Sequence, residues 1–460
     1  MRKPRRLVIV SNRLPASRVG SGSAARWQSG AGGLVTALTP IVRERKGEWV
    51  GWSGGAGAAP RSVEHDGVRM RPVSLTTPEI TGFYHGFSNR TLWPLFHDAI
   101  RPPEFNHAWW RPYVEVNRRF ARAAVKAAGR NGAVWVQDYH LMLAPAMIRE
   151  LNPDLRVGFF LHIPFPPEEL FEWLPWRTEL LNGILGADVI GFQTPAGPQN
   201  FVRLAKRYTD ADGSGDELRY AGRRISVADY PISIDFDWFD ERSQRPDVIA
   251  EAQQIRRRIG ANRKILLAVD RLDYTKGIDT RLDAFELLLQ RGETSADKCV
   301  LVQIAAPSRE PVREYAEMRT QIDRAVGSIN GEFSRPGRVA VHYFRRTIPR
   351  EELVAYYLAA DAMLVTPLRD GMNLVAKEYV ATRSDLGGVL VLSEFAGAAR
   401  EMRQALLVNP RDIEGMAHAM RTAMRFDRSD ARLRMGFLRS RVRRHDVHHW
   451  ADSFLKELMR

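Results

Sequence analysis

Short continuous apolar runs punctuate the chain and alternate with stretches of helical period. RLVIVSN, VWVQDYH, VGFFLHI, DVIGFQT and VADYPISI fall before residue 235, and KILLAVD, CVLVQIA, VAVHYF, AMLVTPL and GVLVLSE fall after 263. Runs that do not alternate predict strands covered on both faces, hence parallel sheets with helices between them. Two sets of about five, parted by the polar, arginine-rich segment 235–263, predict an α/β chain of two Rossmann-like domains facing a cleft. The first is expected over 1–240 and the second over 241–439. The closing stretch MGFLRSRVRRHDVHHWADSFLKELMR predicts one long amphipathic helix, whose end (440–460) packs back on the first domain. GSGSAARWQSGAGG, between Arg13 and Gly33, predicts a flexible loop.

Composition narrows the class. The 460 residues exceed one compact core. No apolar run approaches the roughly 18 to 20 residues of a membrane span, and MRKPRRLVIVSNR reads as a first strand rather than a signal segment. The single cysteine, Cys299, excludes an internal disulfide and fits a reducing cytoplasm. A net charge of +14 asks for an anionic partner. The basic residues are scattered in short clusters rather than one aromatic-laced stripe, so phosphorylated small molecules fit better than nucleic acid.

In parallel α/β sheets ligands bind beyond the carboxyl ends of the strands, so the informative residues follow each apolar run. Asn12 and Arg13 end the first run, and GAGGLVTAL follows, glycines leading into a helix start that suits an anion. GWSGG matches a nucleophile-elbow pattern at Ser53, but the glycine, alanine and proline after it are not the helix that an elbow needs. Trp52, Tyr84 and Trp93 have rings suited to a sugar face and suited equally to core packing. Asp138 and His162 sit at run ends. Arg271 and Lys276 in VDRLDYTKG are placed to clamp a diphosphate, and Arg309 in IAAPSRE to hold a second phosphate. His445, His448 and His449 imitate a metal cluster on a helix beside arginines, without the convergent ligands a zinc site requires, so no metal is expected.

LVTPLRDGMNLVAKEYV carries two acids, Asp370 and Glu378, where a strand gives way to a helix. A retaining glycosidase pair would need carboxyl groups about 5 to 5.5 Å apart, an inverting pair roughly 6.5 to 9.5 Å. Eight helical residues rise about 12 Å, which disfavours either. The helix-start amides near Gly371, Met372, Asn373 and Leu374 are instead read as the anion site. The acids then accept hydrogen bonds from sugar diols, one from a transferred sugar and one from a ribose.

Together SNR, GGL, GWSG, FSNRTLWP, DYHLML, FFLHIPFP, DRLDYTKG, APSRE, INGEF and this last stretch resemble the trehalose-6-phosphate synthase family, in that family's order and over nearly the whole chain. The resemblance implies a GT-B fold and transfer of glucose from a nucleoside diphosphate glucose to glucose 6-phosphate, with retention and without a covalent nucleophile. Under it, Arg271 and Lys276 hold the donor diphosphate, Asp370 with Gly371, Met372, Asn373 and Leu374 holds donor glucose and phosphate, and Glu378 holds the ribose. His162 touches the transferred glucose, and Gly33 closes over the phosphates. Arg13, Tyr84, Trp93 and Arg309 bind glucose 6-phosphate, with Trp52 and Asp138 lining that side. No cofactor is implied beyond the co-substrate, whose base (UDP, ADP or GDP) and any homo-oligomeric state stay open. Two other readings compete. One is a relative using glycerol 3-phosphate; the other is a non-catalytic sugar-phosphate sensor.

Overall fold

The computed structural model describes residues 6–19, 26–30, 32–57, 60, 62–309 and 313–460. Contacts divide the chain into two units: residues up to Ile232 with His448–Arg460, and Ser233–Val447.

The first unit holds β1 (Leu7–Arg13), β2 (Ala16–Val19), β3 (Arg26–Ser29), β4 (Glu48–Ala56), β5 (Val63–His65), β6 (Val68–Leu75), β7 (Ala133–Gln137), β8 (Arg156–Phe160), β9 (Val189–Phe192), β10 (Asp212–Ser214), β11 (Glu217–Tyr220) and β12 (Arg223–Asp229). Ten of these form one sheet in the order β10-β11-β12-β9-β8-β7-β1-β4-β6-β5. Its centre is parallel, with antiparallel pairs at both edges. The apolar runs at β1, β7, β8 and β9 lie in its buried middle because helices cover both faces. From β1 the chain runs to β4 and β6 on one side, then crosses back to β7 on the other. That reversal puts the carboxyl ends of β1 and β7, with Arg13 and Asp138, at the place where such sheets bind ligands.

The second unit holds β13 (Lys264–Arg271), β14 (Cys299–Ala306), β15 (Val341–Phe344), β16 (Ala362–Val365), β17 (Val389–Ser393) and β18 (Leu406–Val408). All are parallel, in the order β15-β14-β13-β16-β17-β18. The order reverses between β13 and β16, whose carboxyl ends lead into Arg271 to Lys276 and into Asp370. Cys299 is buried at the head of β14, and burial pushes its thiol up to about 12.

Several expectations change. The sheets have ten and six strands rather than about five each: glycine-rich β4 and the short edge strands β5, β10, β11 and β18 lack a long apolar run. The run VADYPISI stops as a strand at Asp229, ahead of Pro231, which has no N–H to give a ladder. The stretch read as a flexible loop contains the antiparallel hairpin β2–β3, while residues 20–25 and 31 lie outside the described residues. The closing helix is two helices, Arg428–Arg444 and Val447–Leu458. His445 leaves helical geometry (φ −126°, ψ 61°), and the Val447 N–H donates to the Ile234 carbonyl at 2.9 Å. Trp450 and Phe454 of the last helix pack on Trp135 and Phe160 of the first sheet. The second unit begins at Ser233 rather than 241 because Phe236 is buried beneath the guanidinium groups of Arg439 and Arg443. It runs to Val447 rather than 439 because Arg439 donates to the carbonyls of Val380 and Ala381.

Candidate functional site

In the second unit β13 ends on Arg271, which is exposed, and the chain turns tightly through Tyr274–Lys276. Asp273 forms that turn: its Oδ1 accepts from the Thr275 N–H (3.0 Å) and Oγ1 (2.9 Å). Gly277 follows at φ +60°, where a Cβ would also stand 2.6 Å from the Thr366 carbonyl oxygen beyond β16, so only glycine fits. The packing brings Lys276 to Asp370, 94 residues away, with Nζ 2.6 Å from Oδ2. Side-chain exposures of 9% and 15% leave the pair sheltered yet open at one edge.

Asp370 is held by backbone on both sides. Its N–H donates to the Phe395 carbonyl (3.3 Å), its carbonyl accepts from Gly397 (3.2 Å), and the Met372 carbonyl accepts from Ala398 (2.9 Å). A Cβ on Gly397 would lie 2.0 Å from the Gly371 oxygen, so this approach requires glycine. Asn373, at φ +81°, links the loop to the helix Leu374–Thr382. Its Nδ2 donates to Asp370 Oδ2 (3.0 Å), and its Oδ1 accepts from the Ala376 N–H (3.2 Å) as the cap. The N–H groups of Leu374 and Val375 are the first of the helix and have no acceptor within it. A lysine, a carboxylate and a helix N-terminus therefore meet at the point where strand order reverses.

Asp370 thus lies ahead of the helix, and a rise along eight helical residues does not measure its distance from Glu378. What separates the acids is their partners. Glu378 Oε2 accepts from the Tyr357 hydroxyl at 2.9 Å. Burial pushes its carboxyl above the usual range, against the pull of Tyr357 and Arg350.

Beneath this surface lies a charged network. Arg281, fully buried, donates to Asp270 (2.6 Å), Gln303 (2.7 Å), Thr366 (3.0 Å) and the Lys276 carbonyl (3.3 Å). Arg309 donates to Asp273 Oδ2 at 2.7 Å, and Tyr315 to the same oxygen at 3.0 Å. Burial alone would raise the Asp273 carboxyl, but Arg309, then Arg271 and Lys276, hold it well below the usual range. Arg309, expected on the acceptor side, is placed with the Arg271–Lys276 turn.

In the first unit the Arg13 guanidinium lies 4.0 Å from the Trp52 ring centre and 5.5 Å from that of Tyr84. Trp52 is 2% exposed and donates from Nε1 to the Gly55 carbonyl (2.7 Å). Trp93 is 4% exposed, against His97 and Tyr139. Both tryptophans are core rings; Tyr84, half-buried on the wide i→i+5 helix Ile80–Leu92, keeps part of its surface. Gly33 is exposed at the start of the helix Gly33–Glu44. Ser53 lies inside β4, with no helix directly after it.

Asp138 stands just past β7 at φ +74°, a strained position for a non-glycine residue, and its Oδ1 accepts from the His162 N–H at 3.1 Å. The His162 ring lies between two glutamines, Nε2 at 2.8 Å from Gln137 Oε1 and Nδ1 at 3.1 Å from Gln193 Nε2. Burial against Phe160 and Trp450 pushes the imidazole down to about 3. Neither glutamine was foreseen, although Gln137 ends β7 and Gln193 directly follows β9, the same positional rule that singled out Asp138 and His162. Among the described residues, no three or more histidine, cysteine, aspartate or glutamate side chains are grouped to hold a metal ion.

Residues 5–460 match the model of glycosyltransferase family 20. A trehalose-6-phosphate synthase of Mycobacterium sp. (strain KMS) is 53% identical over an alignment of 462 positions that covers 98% of this chain and 94% of that protein. An α,α-trehalose-phosphate synthase (UDP-forming) from Burkholderia xenovorans, solved in complex with glucose-6-phosphate, superposes with a TM-score of 0.90 at 34% identity, covering 99% of this chain and 100% of the other. A structure from E. coli bound with UDP-2-fluoro glucose superposes at 0.91 and 32% identity, covering 99% of each chain.

Proposed function

The chain belongs to glycosyltransferase family 20, and on that footing we propose that it transfers glucose from a nucleoside diphosphate glucose to glucose 6-phosphate. The products are α,α-trehalose 6-phosphate and the nucleoside diphosphate. The observation that carries the reading is the Lys276–Asp370–Asn373 cluster at the start of the helix Leu374–Thr382. Lys276 and Arg271 neutralise the donor diphosphate, aided by the open amides of the helix. Asp370 accepts from hydroxyls of the transferred glucose, and Glu378 from the ribose. Arg13 and Tyr84 take the acceptor, and the uridine nucleotide in the E. coli neighbour makes UDP-glucose the proposed donor.

The reaction needs no nucleophile from the chain. The bond from the anomeric carbon to the diphosphate oxygen breaks, and the acceptor hydroxyl oxygen bonds to that carbon on the same face. Its proton passes to the departing diphosphate. Fixed cations and amides aimed at the charge developing on the diphosphate lower the barrier, because they need no reorganisation as it forms. Asp370, already paired with Lys276, is an acceptor rather than an attacking group, and His162 has both ring nitrogens engaged. The buried thiol of Cys299 suits a reducing cytoplasm.

The test is release of nucleoside diphosphate from UDP-, ADP- and GDP-glucose with glucose 6-phosphate or glycerol 3-phosphate as acceptor. Release should depend on glucose 6-phosphate and be fastest from UDP-glucose. Equal release with glycerol 3-phosphate would point to the smaller acceptor, and no release from any donor to a sensor.

A further inference from the structure

The two glutamines around His162 form a directional chain whose polarity is set by one backbone group. Gln193 Oε1 accepts from the N–H of Ile232 at 2.9 Å, and a backbone N–H can only donate. The Gln193 amide is thereby oriented with its NH2 towards His162, and that NH2 donates to Nδ1 at 3.1 Å. Nδ1 must then be the bare nitrogen, so the hydrogen of a neutral imidazole sits on Nε2, facing Gln137 Oε1 at 2.8 Å. Ile232 is the last residue of the first unit before the chain crosses into the second.

We propose that Gln193 is a positioning residue that fixes His162 in the neutral Nε2–H tautomer and ties its ring to the crossover at Ile232, with Gln137 closing the far side. A lone buried histidine would choose its tautomer by small differences and flip its ring. Here a flip would set the NH2 of Gln193 against the Cδ2–H, and the other tautomer would set it against an N–H; either costs both hydrogen bonds. Phe160 and Trp450 line the ring and bring no charge, and the Asp138 carboxylate is bound to the backbone N–H of His162. The downward push on the imidazole from burial acts in the same direction, against a charged ring. His162 therefore acts through shape and fixed polarity rather than by moving a proton. The catalytic part of this proposal rests on the reading of His162 as a contact of the transferred glucose.

Gln193→Glu tests it, since it keeps the size and the acceptor for Ile232 but offers Nδ1 a carboxylate in place of a donor. Long-range 1H–15N correlation spectra of the full chain report the tautomer without any need for activity. In the parent, Nδ1 of His162 should show the shift of an unprotonated nitrogen and Nε2 that of a protonated one, unchanged from pH 5.5 to 8.5. In Gln193→Glu, Nδ1 should become protonated. The KM for UDP-glucose should rise about tenfold or more, and the pH profile of kcat should differ from that of the parent. Gln193→Met, which removes donor and acceptor together, should give a mixture of tautomers. A parent His162 protonated at Nδ1, or titrating near its ordinary value, would overturn the proposal, as would an unmoved tautomer in a folded Gln193→Glu. A switched tautomer with parental kinetics would overturn the catalytic part alone and remove His162 from the site.

Discussion

Asp370→Asn changes one atom at the centre of the proposed donor site and nearly nothing in volume. In the parent, Oδ2 accepts from Lys276 Nζ at 2.6 Å and from Asn373 Nδ2 at 3.0 Å. The amide that replaces the carboxylate keeps one oxygen, and its NH2 has nothing to offer a lysine ammonium. Hydrogen bonds to charged groups contribute about 1.5–3 kcal/mol and neutral ones about 0.5–1.5, so each charge-assisted bond made neutral loses about 1–2 kcal/mol. Two such bonds matter in the reaction, one that aims Lys276 and one to the transferred glucose. The transition state should lose about 2–4 kcal/mol, a fall in kcat/KM of about thirty- to nine-hundredfold. The fold should barely notice, because the loop is also held by the backbone bonds of Asp370 and Met372 to Phe395, Gly397 and Ala398. Steady-state release of UDP with glucose 6-phosphate, alongside a thermal melt followed by circular dichroism, reads both quantities. A folded Asp370→Asn enzyme within threefold of the parent would refute the assignment of Asp370.

Gly397→Ala places a methyl group 2.0 Å from the Gly371 oxygen and must push the loop 370–372 away from Lys276. Overpacking of this kind costs about 1–3 kcal/mol of stability, and donor KM should rise more than tenfold; a parental KM in kinetic assays would show that the approach is not needed. Glu378→Gln should raise the melting temperature at pH 7 while weakening donor binding. Burial raises the folded carboxyl pKa above its ordinary 4.5, so the ionised form costs the fold stability once the pH exceeds the folded value. Below the unfolded value both states are protonated, so the melting gap between variant and parent should close as pH falls below about 4.5. A gap that widens in acid contradicts that sign.

The strands were legible where a run was apolar on both faces, as at β7, β13 and β17, whose residues are almost all buried. They were illegible where packing came from elsewhere. EWVGWSGGA is mostly glycine and tryptophan, yet it pairs as β4 between β1 and β6, because a neighbour on each side supplies the hydrogen bonds that its composition does not advertise. The break at His445 was hidden because the residues on both sides keep helical period; a distant carbonyl at Ile234 takes the Val447 N–H. The strand-end rule singled out Arg13, Asp138, Arg271 and Asp370, and each lies at or shortly beyond the carboxyl end of a strand. It could not show that Lys276 and Asp370 meet across 94 residues, nor that Asp273 and Arg309 meet across 36, because pair geometry belongs to the tertiary fold. The burial of Trp52 and Trp93 was equally out of reach, since a sugar platform and a core ring use the same side chain.

The central claim is retaining transfer of glucose onto glucose 6-phosphate. The most direct test is an NMR analysis of the product made from UDP-[1-13C]glucose and unlabelled glucose 6-phosphate. The expected product is a phosphorylated disaccharide whose labelled carbon shows the larger one-bond carbon–proton coupling, and whose H1 shows the small H1–H2 coupling, of an α linkage, joined to the α anomeric oxygen of the glucose phosphate. A β linkage at the labelled carbon, or free labelled glucose as the sole product, would contradict it.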